Sequence, residues 1–234
     1  AWWSGIFFAI LPLSIYYGRS FQAESLMLFL SVYSIKKLID FLEQRLWQNI
    51  FLSWLSFTLC VLIKVLPLLW LGLTLISIAL VFPNKNLNEY NIISNLKLIF
   101  RSYITYIYFL STIIISCIWY FYSYKLGLES GLSFGFWGSD RSSINMLFHL
   151  NVWLNLFIRL VIRNFAIFGL PLFILGLKSS HRDYGSKVLL CGVFGLFLTT
   201  IFAIRSASVH EYYQLPLLIF TCPLMGSGMV YLID

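Results

Sequence analysis

Two short polar stretches in an otherwise apolar chain carry the side chains capable of chemistry. The first, YYGRSFQAE at residues 16–24, holds Arg19, Gln22 and Glu24 within six positions. The second, RSASVHEYYQLP at residues 205–216, holds Arg205, His210, Glu211, Tyr212 and Tyr213. In lipid such groups are costly unless they face a cavity or a partner, so each cluster is a functional-site hypothesis. A carboxylate such as Glu24 could act as a general base, hold a divalent metal or orient a hydroxyl-bearing substrate. At the start of a helix it also gains from the macrodipole with no further role.

Arg19 and Lys64 are each flanked by apolar sequence. An anionic head group suits both, arginine through bidentate hydrogen bonds and lysine as a point charge. Snorkelling to the interface accounts for them as well. Arg205, His210 and Glu211 put cation, acid and base in one segment, beside a tyrosine pair of the kind that anchors span boundaries. Arg159 and Arg163 stand four residues apart and could present one cationic face. No Walker loop, GxGxxG, HExxH or nucleophile elbow occurs.

The composition says where these groups must work. Hydrophobic residues make up 60% of the chain and charged residues 11%, against about 25% charged in soluble domains. Mean hydropathy is +0.85. The net charge of +7 comes without a run of Lys or Arg, which argues against nucleic acid and for a positive-inside bias. Cys60, Cys117, Cys191 and Cys222 lie far apart in apolar runs, with neither metal-ligand spacing nor a disulfide framework. The opening AWWSGIFF has no basic n-region and the closing MVYLID is still apolar. The chain therefore reads as an internal piece of a longer protein.

Nothing alternates like a barrel strand, so helices are the expected spanning element and the fold is expected to be all-α, polytopic, with about eight transmembrane helices in one domain. The apolar runs are 2–17 (half a span), 25–39, 46–63, 65–82, 102–122, 158–177, 188–204 and 213–233. Residues 46–82 are apolar for 37 positions, broken only at Lys64 and Pro67. A single helix of that length is about 55 Å long against a core of about 30 Å, so the run is split at Lys64–Pro67. Residues 83–101 read as a polar loop, and 123–157 as an external loop whose second half, 144–157, is amphipathic.

Counting spans puts Lys36, Lys37, Arg45, Lys85, Lys97, Arg101, Lys178, Arg182 and Lys187 on one face, taken as cytoplasmic. Both polar clusters and the Lys64 turn then share the exterior face.

The chain resembles the GT-C membrane glycosyltransferases. Within them it is most similar to the bacterial branch related to protein O-mannosyltransferases and to aminoarabinose transferases. The matching pieces are LPLSIYYGRSFQAESLMLFL at 11–30, the spacing of Trp54 to Lys64 with Pro67 after it, and VHEYYQLPLL at 209–218. The resemblance implies a multi-pass enzyme of the bacterial inner membrane. It would take sugar from a polyprenyl-phosphate donor at the exterior face and pass it to a lipid, glycan or protein acceptor. It implies that Glu24 is an acidic residue of the active cavity. Arg19, Gln22, Lys64, Arg205, His210, Glu211, Tyr212 and Tyr213 would meet the donor phosphate or sugar. The family's acidic motif in the first external loop has no counterpart here, since Trp2 already lies beyond it. Two other classes stay open: a transporter or flippase of lipid-linked sugars, which calls for mid-membrane charges and repeats, and a non-catalytic scaffold.

Overall fold

The computed structural model describes residues 2–20, 22–81, 103–131, 144–179 and 184–234. The expected loop at 83–101, the glycines at 135 and 138, Arg141, His181 and Arg182 lie outside them. Among the described residues every regular element is a helix. Three are long and apolar enough to cross a membrane: Tyr103–Glu129, Gly185–Phe202 and Glu211–Ile233. A bent pair, Leu150–Asn164 with Gly169–Ser179, makes a fourth if taken as one broken span. Two compact units, residues 1–28 with 140–234 and residues 29–139, lie within what the sequence reads as one transmembrane domain.

In the second unit, residues 46–82 do form two helices, Trp47–Ile63 and Pro67–Val81. Lys64 is extended (φ −146°, ψ 141°), and Pro67, which has no amide to donate, opens the next helix. The chain doubles back there. A Cβ at Gly72 would lie 3.7 Å from the Phe57 ring, whereas a straight helix would separate the two by about 22 Å.

The preceding helix, Glu24–Gln44, also reverses, at Arg45, whose φ of 57° is the left-handed conformation common after helix C-termini. Ser34 Oγ donates to the Ser53 carbonyl and Ser53 Oγ to that of Ser34, both at 2.9 Å. Ser53 also meets Tyr108 Oη at 2.9 Å, Thr58 meets Thr112 at 2.9 Å, and Tyr120 Oη donates to Val61 O at 2.7 Å. These pairs rise together in number, so Trp47–Ile63 and Tyr103–Glu129 run parallel. Hydroxyls of this kind join apolar helices where the hydrophobic effect cannot. At one end of the unit Lys36 and Lys37 reach Asp40 at 2.8 and 3.2 Å. Hydrogen bonding from Lys36, opposed in part by desolvation, holds the Asp40 carboxyl below the usual carboxylate range. The Tyr103–Glu129 helix runs on through 123–129, so the first turns of the expected external loop are helical.

In the first unit the apolar run 2–17 is two helices, Trp2–Ile10 and Pro12–Arg19. Pro12 pushes Leu11 out of helical conformation (φ −66°, ψ 139°), and Leu11 is fully buried. Phe7, Leu11, Leu13, Tyr17 and Leu28 form one core with Phe165, Leu215, Leu218, Cys222 and Met225. Gly169–Ser179 packs backbone to backbone on Leu218–Ile233. A Cβ at Gly176 would strike the Leu224 carbonyl, and one at Gly228 the Leu172 carbonyl. One number rises as the other falls, so these helices are antiparallel.

The expected span 158–177 is not continuous. Leu150–Arg159 passes into a π turn, Leu160–Asn164, and the chain then turns by 89° into Gly169–Ser179.

Candidate functional site

Tyr17, on the last turn of Pro12–Arg19, connects the two polar stretches of the sequence. Its ring is 7% exposed and meets Tyr212 edge to face, with centroids 6.2 Å apart and planes at 82°. The Tyr212 backbone lies within hydrogen-bonding reach of the Tyr17 hydroxyl, and the carboxylates of Glu24 and Glu211 both act on that hydroxyl through space. The Tyr17 carbonyl accepts hydrogen bonds from Ser20 Oγ at 3.0 Å and Ser25 Oγ at 3.1 Å. These bonds hold Ser25, on the first turn of the helix that starts at Glu24, against the end of Pro12–Arg19.

Glu24 is only 5% exposed. It opens Glu24–Gln44 and lies within electrostatic reach of both Tyr17 and Tyr212. A carboxylate so withdrawn from water is compensated by partners, and an aromatic hydroxyl can donate to it.

The second stretch supplies an aromatic stack. His210 lies over Tyr212 (5.1 Å, 17°) and Tyr212 over Tyr213 (4.9 Å, 25°). A seven-residue 3-10 turn, Glu211–Leu217, carries the tyrosines. It winds more tightly than an α-helix, and runs of this length are uncommon.

This turn and the helix before it are tied to the broken span. Arg159 Nη1 donates to Ser208 O at 2.6 Å, Arg163 Nε lies 3.6 Å from Glu211 Oε2, and Asn164 Nδ2 donates to Gln214 Oε1 at 3.3 Å. Gln214 Nε2 in turn donates to Leu156 O at 3.0 Å, which fixes the orientation of both amides. Asn164 is fully buried and its Oδ1 has no hydrogen-bond partner among the described residues. Beyond it Ala166 (φ 47°) and Ile167 (φ 65°) are both left-handed. That conformation costs a non-glycine residue about 1–3 kcal/mol, and the β-branched Ile is among the least suited to it.

The site residues read from the sequence fall out as follows. Tyr212 meets Tyr17 edge to face, with His210 and Tyr213 in the stack beside it, and Glu24 and Glu211 lie within electrostatic reach of Tyr17. Arg19 and Gln22 are exposed on the turn before Glu24, and Arg205 is exposed on the short helix Ile204–Val209. Lys64 is half-buried and belongs to the second unit. Arg159 and Arg163 each reach a partner in the second polar stretch, Ser208 O and Glu211 respectively. Tyr17, Asn164 and Gln214 are additions to the sequence-derived set. A tyrosine ending an apolar run was legible only as an interfacial anchor, and nothing local marked Asn164 as buried.

Chemically, the site offers two carboxylates in different settings, Glu24 withdrawn from water and Glu211 beside a cation, against a wall of stacked rings. Among the described residues no three His, Cys, Asp or Glu side chains gather as metal ligands. No family model matches the sequence, nor does any curated protein or solved structure.

Proposed function

We propose that the chain forms part of a GT-C-like membrane glycosyltransferase with about eight spans. Its donor is a polyprenyl-phosphate sugar, met at the exterior face of a bacterial inner membrane. The acceptor is a lipid, glycan or protein hydroxyl. The observation that carries this reading is the edge-to-face contact of Tyr17 with Tyr212, which joins the polar stretches on which the resemblance rests, with Glu24 and Glu211 within electrostatic reach of Tyr17. The doubling back at Lys64 supports the span count from which their shared face was derived.

In this reading the acceptor oxygen attacks the anomeric carbon, the bond from that carbon to the phosphate oxygen breaks, and polyprenyl phosphate departs with the bonding pair. Glu24 sits beside the acceptor hydroxyl and accepts its proton. Arg19 and Arg205, exposed around the site, offset the negative charge on the departing phosphate. The stacked His210, Tyr212 and Tyr213 present apolar faces to the sugar ring.

The test is transfer by the full-length protein in lipid, from a radiolabelled polyprenyl-phosphate sugar to endogenous acceptors, with and without Glu24→Gln. A wild-type protein that produces no labelled acceptor from any such donor would remove the reading.

A second reading, a flippase of lipid-linked sugars, draws on the broken span. Discontinuous helices with buried polar groups at the break are common at transporter sites, and Asn164 stands at such a break. Sealed vesicles separate the two: a flippase moves the labelled lipid between leaflets unchanged, whereas a transferase consumes it.

A further inference from the structure

The two most irregular elements of the first unit are fastened to each other. The corner, comprising the π turn Leu160–Asn164 and the left-handed Ala166 and Ile167, is held against the segment 208–214 by Arg159 to Ser208 O, Arg163 to Glu211 and Asn164 to Gln214. π turns and long 3-10 turns both tend to mark functional hinges. The corner also shelters an acceptor that is unpaired among the described residues, Asn164 Oδ1, and native structures carry few such groups without a reason. Two strained residues and an unsatisfied amide make this arrangement costly in itself, so it persists through its clasps.

Of the three clasps, only the Arg163–Glu211 pair is open to competition. Its side chains are 51% and 30% exposed, and the contact is a long 3.6 Å through Nε alone. No contact occupies the terminal nitrogens of Arg163 among the described residues, and these are the atoms that bind phosphate in bidentate fashion.

We propose that residues 160–168 are a two-state latch, held shut by Glu211 and opened when a phosphate group takes Arg163 in its place. Opening relieves Ala166 and Ile167 and brings Asn164 Oδ1 within reach of a hydroxyl donor. A phosphate that binds only the open state shifts the balance toward it by that difference in affinity. The latch deepens the transferase reading, because it would couple donor-phosphate binding to completion of the sugar site.

Amide hydrogen exchange on the full-length protein in lipid nanodiscs tests it at Phe165, Ile167, Phe168 and Gly169. Their amides bond within the corner, to Leu160 O, Val161 O, Ala166 O and Phe165 O. Glu211→Gln should speed exchange there without ligand, about twofold to fivefold, the range a half-exposed ion pair can supply. Polyprenyl phosphate should do the same to the wild type but not to Arg163→Gln. Glu211→Gln is isosteric and Arg163→Gln shortens a half-exposed side chain, so the fold survives both.

Unchanged exchange in Glu211→Gln overturns the latch. So does polyprenyl phosphate that binds the wild type, measured on the same samples, without altering exchange; the transferase reading then still stands. Inorganic phosphate that opens the corner while polyprenyl phosphate does not bind keeps the latch, makes its trigger a free anion and removes the transferase reading. No response to either phosphate overturns the latch.

Discussion

Tyr17 and Tyr212 meet edge to face at 6.2 Å, although 195 positions separate them in the chain. This contact turns two polar interruptions into one site. An edge-to-face pair adds about 0.5–1.5 kcal/mol beyond the area it buries. Tyr17→Phe should keep the ring contact and lose only the hydroxyl's hydrogen bond, about 1 kcal/mol in unfolding. Tyr17→Ala should cost about 3 kcal/mol or more, by analogy with other buried aromatics, and abolish transfer. Wild-type turnover in Tyr17→Ala would separate the contact from the function.

Glu24→Gln keeps the shape of a buried side chain and removes its charge. Transfer should fall by about a hundredfold or more, the usual contribution of a positioned acid or base. The unfolding temperature in detergent should hold or rise, since burying a charge opposes folding. A variant that unfolds early and transfers normally would make Glu24 a structural residue.

Arg19→Ala and Arg205→Ala remove exposed cations. Each should raise KM for the polyprenyl-phosphate donor by about tenfold or more, the weight of one charge-assisted hydrogen bond. Unfolding should change by less than about 0.5 kcal/mol, as at other surface positions. The reverse pattern, lost stability with unchanged KM, would exclude both from the donor site.

Gly176→Ala and Gly228→Ala each place a methyl against a backbone carbonyl of the facing helix, which no rotamer change can relieve. Each should destabilise the fold by about 1–3 kcal/mol, the usual cost of overpacking. Gly18→Ala, where nothing lies within 4 Å, serves as the comparison and should lose nothing. Thermal unfolding in one detergent reads all three.

Asp40 should make folding pH-dependent in acid. Its carboxyl is held below the usual range, chiefly by the Lys36 hydrogen bond. A lowered native value means the contribution is complete above the unfolded value of about 3.9. It is lost as pH falls through the native one. The stability difference between wild type and Asp40→Asn should therefore be constant near neutrality and shrink below about pH 4. A difference that persists unchanged to pH 2 would contradict the pairing with Lys36 and Lys37.

What the sequence determined by itself was whatever depends on local chemistry. Sixty per cent hydrophobic residues and no alternating pattern left helices as the spanning element, and the helical form of every described element follows. The break at Lys64–Pro67 was equally legible, because a charge and an imino acid cannot continue an apolar helix 37 residues long. Glu24, Glu211 and Tyr212 could be singled out by type alone.

Tertiary structure decided the rest. Residues 158–177 carry an unbroken helical pattern up to Gly169, yet the chain turns at Ala166 and Ile167, which disfavour the conformation they adopt. The turn is held instead by Asn164, Arg163 and Arg159 reaching a segment some 50 positions away, and no local signal encodes a bond over that distance. Tyr17 is the same case in a single residue. In the sequence it ends an apolar run, and only the packing of Pro12–Arg19 against 211–217 brings that end onto Tyr212.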